Sequence, residues 1–557
     1  MSKQNTQANP VSWRNRLADL WPDFWTVVAL VIGAVVVAPM LAVVWLAFQP
    51  TENIWPHLIA TVLPRYLANT LLLMLGVGLL TAMTGTGAAW LVVMYRFPGR
   101  GWLDYALLFP MAIPAYIGAY ALVDFLDYSG PLQTGMRLAT GWTSARDYAF
   151  PEVRSLGFAM VVLAAAFYPY VYLLARAAFR EQSGASYEVA RALGAGPVAL
   201  FFRVGLPLAR PAIAAGVALV LMETIADFGT VQHFGVQTLT TGVFSTWFNG
   251  DNAGGAAQIS GVILVLILAL IWAERHSRGH ARFHRPSRAT RPVAPQILTG
   301  AWGWTATALC LLPLALGFVL PVSVMAWHAL RRPDVWMAPG LGRAVVNTLV
   351  VGGLAAFLTV AAALFLVHGV RLAGRGVARL ILPVTALGYA TPGAVLAVGI
   401  LIPLAALDHK VADAVLALTG RDPGLVLTGT AAALVLAYAV RFFGIAQSAV
   451  DSAFGRVSPA LPMAARSLGR TGGGTLTAVY LPLMRGSVST ALLVVFVDCV
   501  KELPATLLLR PFNFNTLSTR AYELASLEKL GEAAPAALLV IAVGLAAVAV
   551  MARTGRP

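Results

Sequence analysis

Apolar residues run through this chain in long stretches, separated by short polar segments rich in Arg, Gly and Pro. A stretch needs roughly 20 residues to cross ~30 Å of hydrocarbon as a helix, and about twelve meet or approach that length. They lie near 24–48, 67–94, 104–126, 157–179, 209–228, 258–273, 303–328, 344–368, 377–406, 425–447, 484–508 and 533–552. Polar residues interrupt the fifth and eleventh, and the sixth is short. Lipid offers no partner to an open backbone hydrogen bond, so each stretch is expected to be helical. The predicted fold class is an all-α polytopic membrane protein.

Composition agrees. Hydrophobic residues fill 59% of the 557 positions and charged residues 11%, more apolar surface than a soluble core can hide. With both termini placed in the cytoplasm, the larger share of Lys and Arg falls on cytoplasmic loops, as the positive-inside rule requires. The net charge of +15 is then turned towards anionic inner-leaflet lipid. Nucleic acid is not an expected partner, because it would need a soluble basic surface. The first stretch follows Lys3, Arg14 and Arg16, exceeds a signal-peptide core and lacks a small-x-small cleavage site, so it is expected to remain as the first span. Cys310 and Cys499 both fall inside predicted spans, where they read as apolar filler rather than as a disulfide or metal site.

Between residues 274 and 300 stand Arg275, Arg278, Arg282, Arg285, Arg288 and Arg291 with His276, His280 and His284. Histidines four apart can share a metal on one helix face, but interleaved arginines repel a cation. The segment reads as a cytoplasmic linker between two halves, 1–273 and 301–557.

Those halves repeat one another. Glu188-Val-Ala190-Arg-Ala-Leu-Gly194, nine residues and Val204-Gly-Leu206-Pro207 return as Met463-Ala-Ala465-Arg-Ser-Leu-Gly469, nine residues and Val479-Tyr-Leu481-Pro482. Asn69-Thr70 recurs as Asn347-Thr348, Gly99-Arg-Gly101 as Gly374-Arg-Gly376, and Thr238-Leu-Thr-Thr241 as Thr516-Leu-Ser-Thr519, all in the same order. Each half is therefore expected to be one copy of a six-span unit, related to the other about an axis along the membrane normal. Hydrophobicity alone would not hold Gly and Leu-Pro at constant spacing, so the repeated polar loop reads as a docking site for a soluble partner. Glu188, Ala192 and Ala195 are expected on one helix face, with Leu206-Pro207 closing the loop before the next span.

The pattern Glu-x-Ala-x3-Gly-x9-(Ile/Val)-x-Leu-Pro at 188–207 resembles the signature of the permease subunits of bacterial ABC importers. Its second copy, 463–482, departs only in placing Met463 where the acid is expected. The resemblance implies the type I importer permease fold in an inner membrane, two copies of an ABC ATPase subunit on the cytoplasmic side, and a periplasmic substrate-binding protein. In that family the loop forms a short coupling helix seated on the ATPase. This would give coupling roles to Glu188, Ala190, Gly194, Leu206 and Pro207 in the first half, and to Ala465, Gly469, Leu481 and Pro482 in the second. No Gly-Lys-Ser/Thr phosphate loop occurs in the chain, so ATP and Mg are expected on the partner subunits and no cofactor on this one.

Fusion of both halves, with Ala226-Asp-Phe-Gly-Thr-Val-Gln-His-Phe-Gly235 and Lys501-Glu-Leu-Pro-Ala-Thr506, resembles the ferric-iron permeases, which implies Fe3+ as cargo. Thiamine permeases share the fused form and are the nearest alternative; an ion-gradient transporter would leave the matched loops unexplained. Glu223, Asp227, Asp498, Lys501 and Glu502 fall within or beside predicted spans, where an ionised group is costly unless paired or wet. They are candidates for the translocation path, with pairing for helix packing as the other reading. Carboxylates are hard oxygen donors suited to ferric iron, and His233 is a further candidate contact.

Overall fold

The structure, a computed structural model, describes residues 24–49, 53–278, 293–373 and 381–554. Among these, ten helices are long and apolar enough to cross a membrane, and counting each of two bent helix pairs as one span gives up to twelve. The sixth stretch, short in the sequence pattern, lies in the 26-residue helix Ala253–Arg278. Residues 279–292, which hold His280, Arg282, His284, Arg285, Arg288 and Arg291 of the expected linker, lie outside the described residues. Among the described residues, strand pairing is confined to two short parallel segments, where Tyr95–Arg96 meets Gln296–Ile297.

Three stretches expected to be single spans are broken. Arg100–Ala112 meets Ala115–Thr140 at 96°, and Ala431–Arg441 meets Phe443–Arg456 at 50°. In the second half Ile381–Ala390 stops before Gly393–Thr419 begins. Pro114 and Pro392 account for the matched breaks. The residue before each is driven out of the helical region, Ile113 to ψ 123° and Thr391 to ψ 125°.

Other prolines leave the helix unbroken. Leu63-Pro64, Leu206-Pro207, Leu320-Pro321 and Leu481-Pro482 each follow directly on a π-helical turn of five residues. The wider turn gives the proline ring room and absorbs its missing N–H, so the helix continues. Contrary to the expectation from sequence, Leu206-Pro207 therefore does not close the loop. It lies inside one continuous helix, Pro197–Ala226, and its repeat lies inside Gly472–Lys501.

The first span of each half packs against the other half. Phe24–Phe48 lies along Leu341–Ala373 and Gly393–Thr419, while Leu320–Arg331 lies along Ala115–Leu126. Small residues allow this approach: a Cβ at Gly399 would run into the Pro39 carbonyl, and one at Gly317 into the Ala165 carbonyl.

Inside the halves, the repeat is visible bond by bond. Asn69 Nδ2 donates to the Gln237 carbonyl at 2.8 Å, and Asn347 Nδ2 to the Asn515 carbonyl at 2.9 Å. Thr70 Oγ1 accepts from Leu239 N at 3.1 Å, as Thr348 Oγ1 does from Leu517 N at 2.8 Å. Thr238 with Thr241, and Thr516 with Thr519, form equivalent capping boxes. Each unit thus pins the start of its second span to the segment before its last.

Candidate functional site: two loop helices and a charged cavity

Each matched loop begins with a short helix, Gly184–Ala192 in the first half and Ala460–Ser467 in the second. Their ends are built alike. Gly194 takes φ 84° and Gly469 φ 79°, in the left-handed region that favours glycine. Gly194 N donates to the Arg191 carbonyl at 2.9 Å and Ala195 N to the Ala190 carbonyl at 3.0 Å; Gly469 N to Arg466 and Arg470 N to Ala465 repeat both distances. This closure satisfies the last carbonyls of each helix and explains why the sequence holds Gly at a fixed place. A Cβ at either glycine would meet nothing within 4 Å, so the demand for glycine here comes from backbone conformation.

The helices turn much of their surface outward. Val189 is 60% exposed and Leu193 83%, against 67% for Met463 and 84% for Leu468. Glu188 and Ala192 are exposed on the first helix, and Ala190 and its counterpart Ala465 are half-buried. Ala195 lies beyond the glycine turn and caps the helix through its N–H, so it does not share the face of Glu188 as expected. Leu206, Pro207, Leu481 and Pro482 stand apart from these helices, at the π-turn junctions of the spans that follow.

About thirty residues along those spans, at their far ends, the two halves enclose a cavity of about 120 Å³. Five of the six residues singled out from sequence line it: Glu223, Asp227, Asp498, Lys501 and Glu502. Glu223 and Asp498 occupy equivalent positions in the repeat, as do Asp227 and Glu502, so each half contributes the same two carboxylate levels. His233 lies apart from the cavity, its ring edge-on to Tyr120 at 4.4 Å.

Two of the contacts around the cavity cross between halves. Tyr389 donates its hydroxyl to Glu223 at 3.1 Å, and Lys501 Nζ donates to the Met111 carbonyl at 3.2 Å while pairing with Asp498 at 3.1 Å. Tyr389 and Met111 hold corresponding places, each three residues before the proline that breaks its span. Asp227 accepts from the Thr230 and Val231 amides, both at 3.1 Å, and from the Thr230 hydroxyl at 3.0 Å. Glu502 accepts from Ala505 N at 3.0 Å and pairs with Arg441 Nε at 2.9 Å. Asp227 and Glu502 therefore cap the short helices that follow them and also face the cavity. Among the described residues no three His, Cys, Asp or Glu side chains converge as they would around one metal ion.

Sequence reasoning passed over Arg441 and Tyr187. Arg441 is a lone cation in an apolar stretch, and that alone marks it as functional by default. Tyr187 gives no such signal; its ring is buried beneath the first loop helix, and its hydroxyl donates to Gln182, whose Nε2 donates to the Gly205 carbonyl at 3.2 Å.

Two matched, capped loop helices, up to twelve spans in two equivalent units and a charged cavity between them agree with the resemblance of the sequence to ABC importer permeases. Residues 75–279 match the family described as the binding-protein-dependent transport system inner membrane component. Along 93% of its length the chain is 25% identical to the Fe(3+)-transport system permease protein FbpB 2 of Haemophilus influenzae, covering 96% of that protein. Shorter stretches are similar to other transport permeases. The probable sulfate transport system permease protein cysT of Nephroselmis olivacea is 28% identical over 36% of this chain and 70% of its own length. The molybdenum transport system permease protein ModB of Escherichia coli is 28% identical over 35% of this chain and 85% of its own.

Proposed function

We propose that the chain is the membrane subunit of an ATP-driven importer for ferric iron, which a periplasmic binding protein delivers to the outer face of the inner membrane. Two copies of a separate ATPase subunit dock on Gly184–Ala192 and Ala460–Ser467 and hydrolyse ATP with Mg. Both termini lie on the same, cytoplasmic, side. Closure of the ATPase pair pushes the two helices, and the spans that begin a few residues later carry the displacement to the cavity, so the halves 1–273 and 301–557 rock and the path opens outward.

The observation that carries the iron reading is the pair of carboxylate levels that both halves bring to one cavity. Carboxylates are hard oxygen donors; among the described residues no three converge as a fixed metal cage, so they offer a passing cation successive contacts. Four carboxylates against the two cations Arg441 and Lys501 leave the lining formally net negative, which favours a cation over oxyanions such as those named for the shorter relatives. Similarity to an iron permease along nearly the whole chain supports the same cargo.

The test is ATP hydrolysis by the complex in lipid nanodiscs, reconstituted with its ATPase and binding protein. Stimulation only by the iron-loaded binding protein is the expected result. Stimulation by thiamine or sulfate with none by iron would overturn the cargo, and failure of any ATPase to dock would overturn the importer reading.

A further inference from the structure

The carboxylates of the cavity are matched between the halves, but its cations are not. Arg441 and Lys501 both belong to the second half, and the equivalent positions of the first half hold Ala166 and Ala226. Lys501 is pinned to Asp498 and to the Met111 carbonyl. Arg441 makes one ion pair, from Nε to Glu502, and lies over the Phe442 ring at 5.7 Å, with its side chain only 10% exposed. Its Nη1, which is buried, makes no hydrogen bond among the described residues. A guanidinium has five N–H donors in a fixed fork, and a buried one without a partner is costly. The space it occupies is kept open by Gly393, where a Cβ would strike both Arg441 Nη1 and Glu502 Oε1.

We infer that Arg441 is a tethered counter-cation: it occupies the carboxylate site while the cavity is empty, and a hard multivalent cation enters by displacing it from Glu502. The under-used fork fits this role. A structural arginine would be expected to use its remaining donors on fixed partners, whereas one that must let go is held by one ion pair and can swing as the halves part. On the opposite wall Ala166 contributes no competing charge, so Glu223 and Asp227 face the incoming ion without a basic neighbour of their own half. Displacement also empties the site. When the halves close again, the returning guanidinium competes with the ion for Glu502, so the ion is passed on rather than trapped. This assignment deepens the cation reading above and rests on it.

The experiment is a titration of the full-length protein in nanodiscs with Tb3+. This trivalent cation seeks oxygen ligands, and nearby tyrosines such as Tyr170 and Tyr389, which line the cavity, sensitise its luminescence. Removing one positive charge beside the site in Arg441→Gln should tighten Tb3+ binding by about tenfold. Arg441→Lys should stay near the wild type, and Arg441→Gln with Glu502→Gln should lose the gain. Ala166→Arg, which adds a second tethered cation from the first half, should weaken binding by about tenfold. Unchanged or weaker Tb3+ binding in a folded Arg441→Gln protein would overturn the inference. If that variant does not fold, unchanged binding in Ala166→Arg overturns it instead. Neither iron nor the ATPase enters this titration, so a charge-dependent Tb3+ response without iron uptake would sink the iron assignment and leave the displacement standing.

Discussion

Beneath the first loop helix the ring of Tyr187 fills the space between Trp90 and the helix, whereas beneath the second Pro462 stands at the same position and a cavity of about 300 Å³ remains. The surrounding residues shift to match. Trp90 packs edge-on against Phe179 at 5.3 Å and Phe201 at 5.1 Å, and Gly205 leaves room for its ring. In the second half Tyr480 replaces Gly205, lying 4.5 Å from Phe454, and His368 takes over the tie to the loop through the Gly472 carbonyl at 3.0 Å. The helices end in the same backbone turn on different supports. Dense aromatic packing makes a stiff lever, and a void beneath a helix leaves it free to settle. In the proposed coupling, the first loop would transmit force and the second would adjust to it.

Removing the first support should have the largest effect. Tyr187→Ala deletes a buried ring and should cost about 3–5 kcal/mol of stability. Thermal unfolding should drop, and ATP hydrolysis should run without uptake; an unchanged unfolding temperature would mean the ring is not the support. The exposed acid comes next. Glu188→Met, which makes the first helix resemble the second, should weaken ATPase docking by about tenfold if Glu188 meets a charge there, while Met463→Glu should alter it less. Equal responses in a binding titration would remove the distinction between the two contacts. The smallest effect belongs to filling the void. Pro462→Tyr should raise stability by up to about 1 kcal/mol and slow amide exchange across Ala460–Ser467. Faster exchange would show that the void is not available to the new ring.

Much of this was legible in the sequence, for physical reasons that can be named. Membrane spans announce themselves because lipid selects composition over the whole length of a helix, and the glycines of the loops because few other residues adopt their backbone angle. The two carboxylate levels followed from the cost of burying charge, which Glu223 and Glu502 display without any knowledge of their neighbours. Proline was the less certain guide. Pro114 and Pro392 break their spans, but Pro207 and Pro482 ride through theirs on a preceding π turn, and the preceding residue does not decide: Ile113-Pro114 breaks its span, whereas Ile402-Pro403 lies inside Gly393–Thr419. Nor could the crossing of Phe24–Phe48 onto the opposite half be read from hydrophobicity, which is non-directional. Tyr187 was hidden for a similar reason. An aromatic residue in a polar loop looks like surface until the fold shows the pocket that it fills.

The most direct test of coupling through the two loops replaces Gly194 and Gly469 separately by Val. Either substitution forces a β-branched residue into a left-handed turn, at a cost of about 1–2 kcal/mol, and so spoils the cap without touching the cavity. Iron uptake and ATP hydrolysis would be measured together in proteoliposomes carrying the complete complex. In both variants hydrolysis should persist while uptake falls by at least about tenfold, a loss of about 1.4 kcal/mol of coupling. Normal uptake in both would contradict the assignment of these helices as the link between ATPase and cavity.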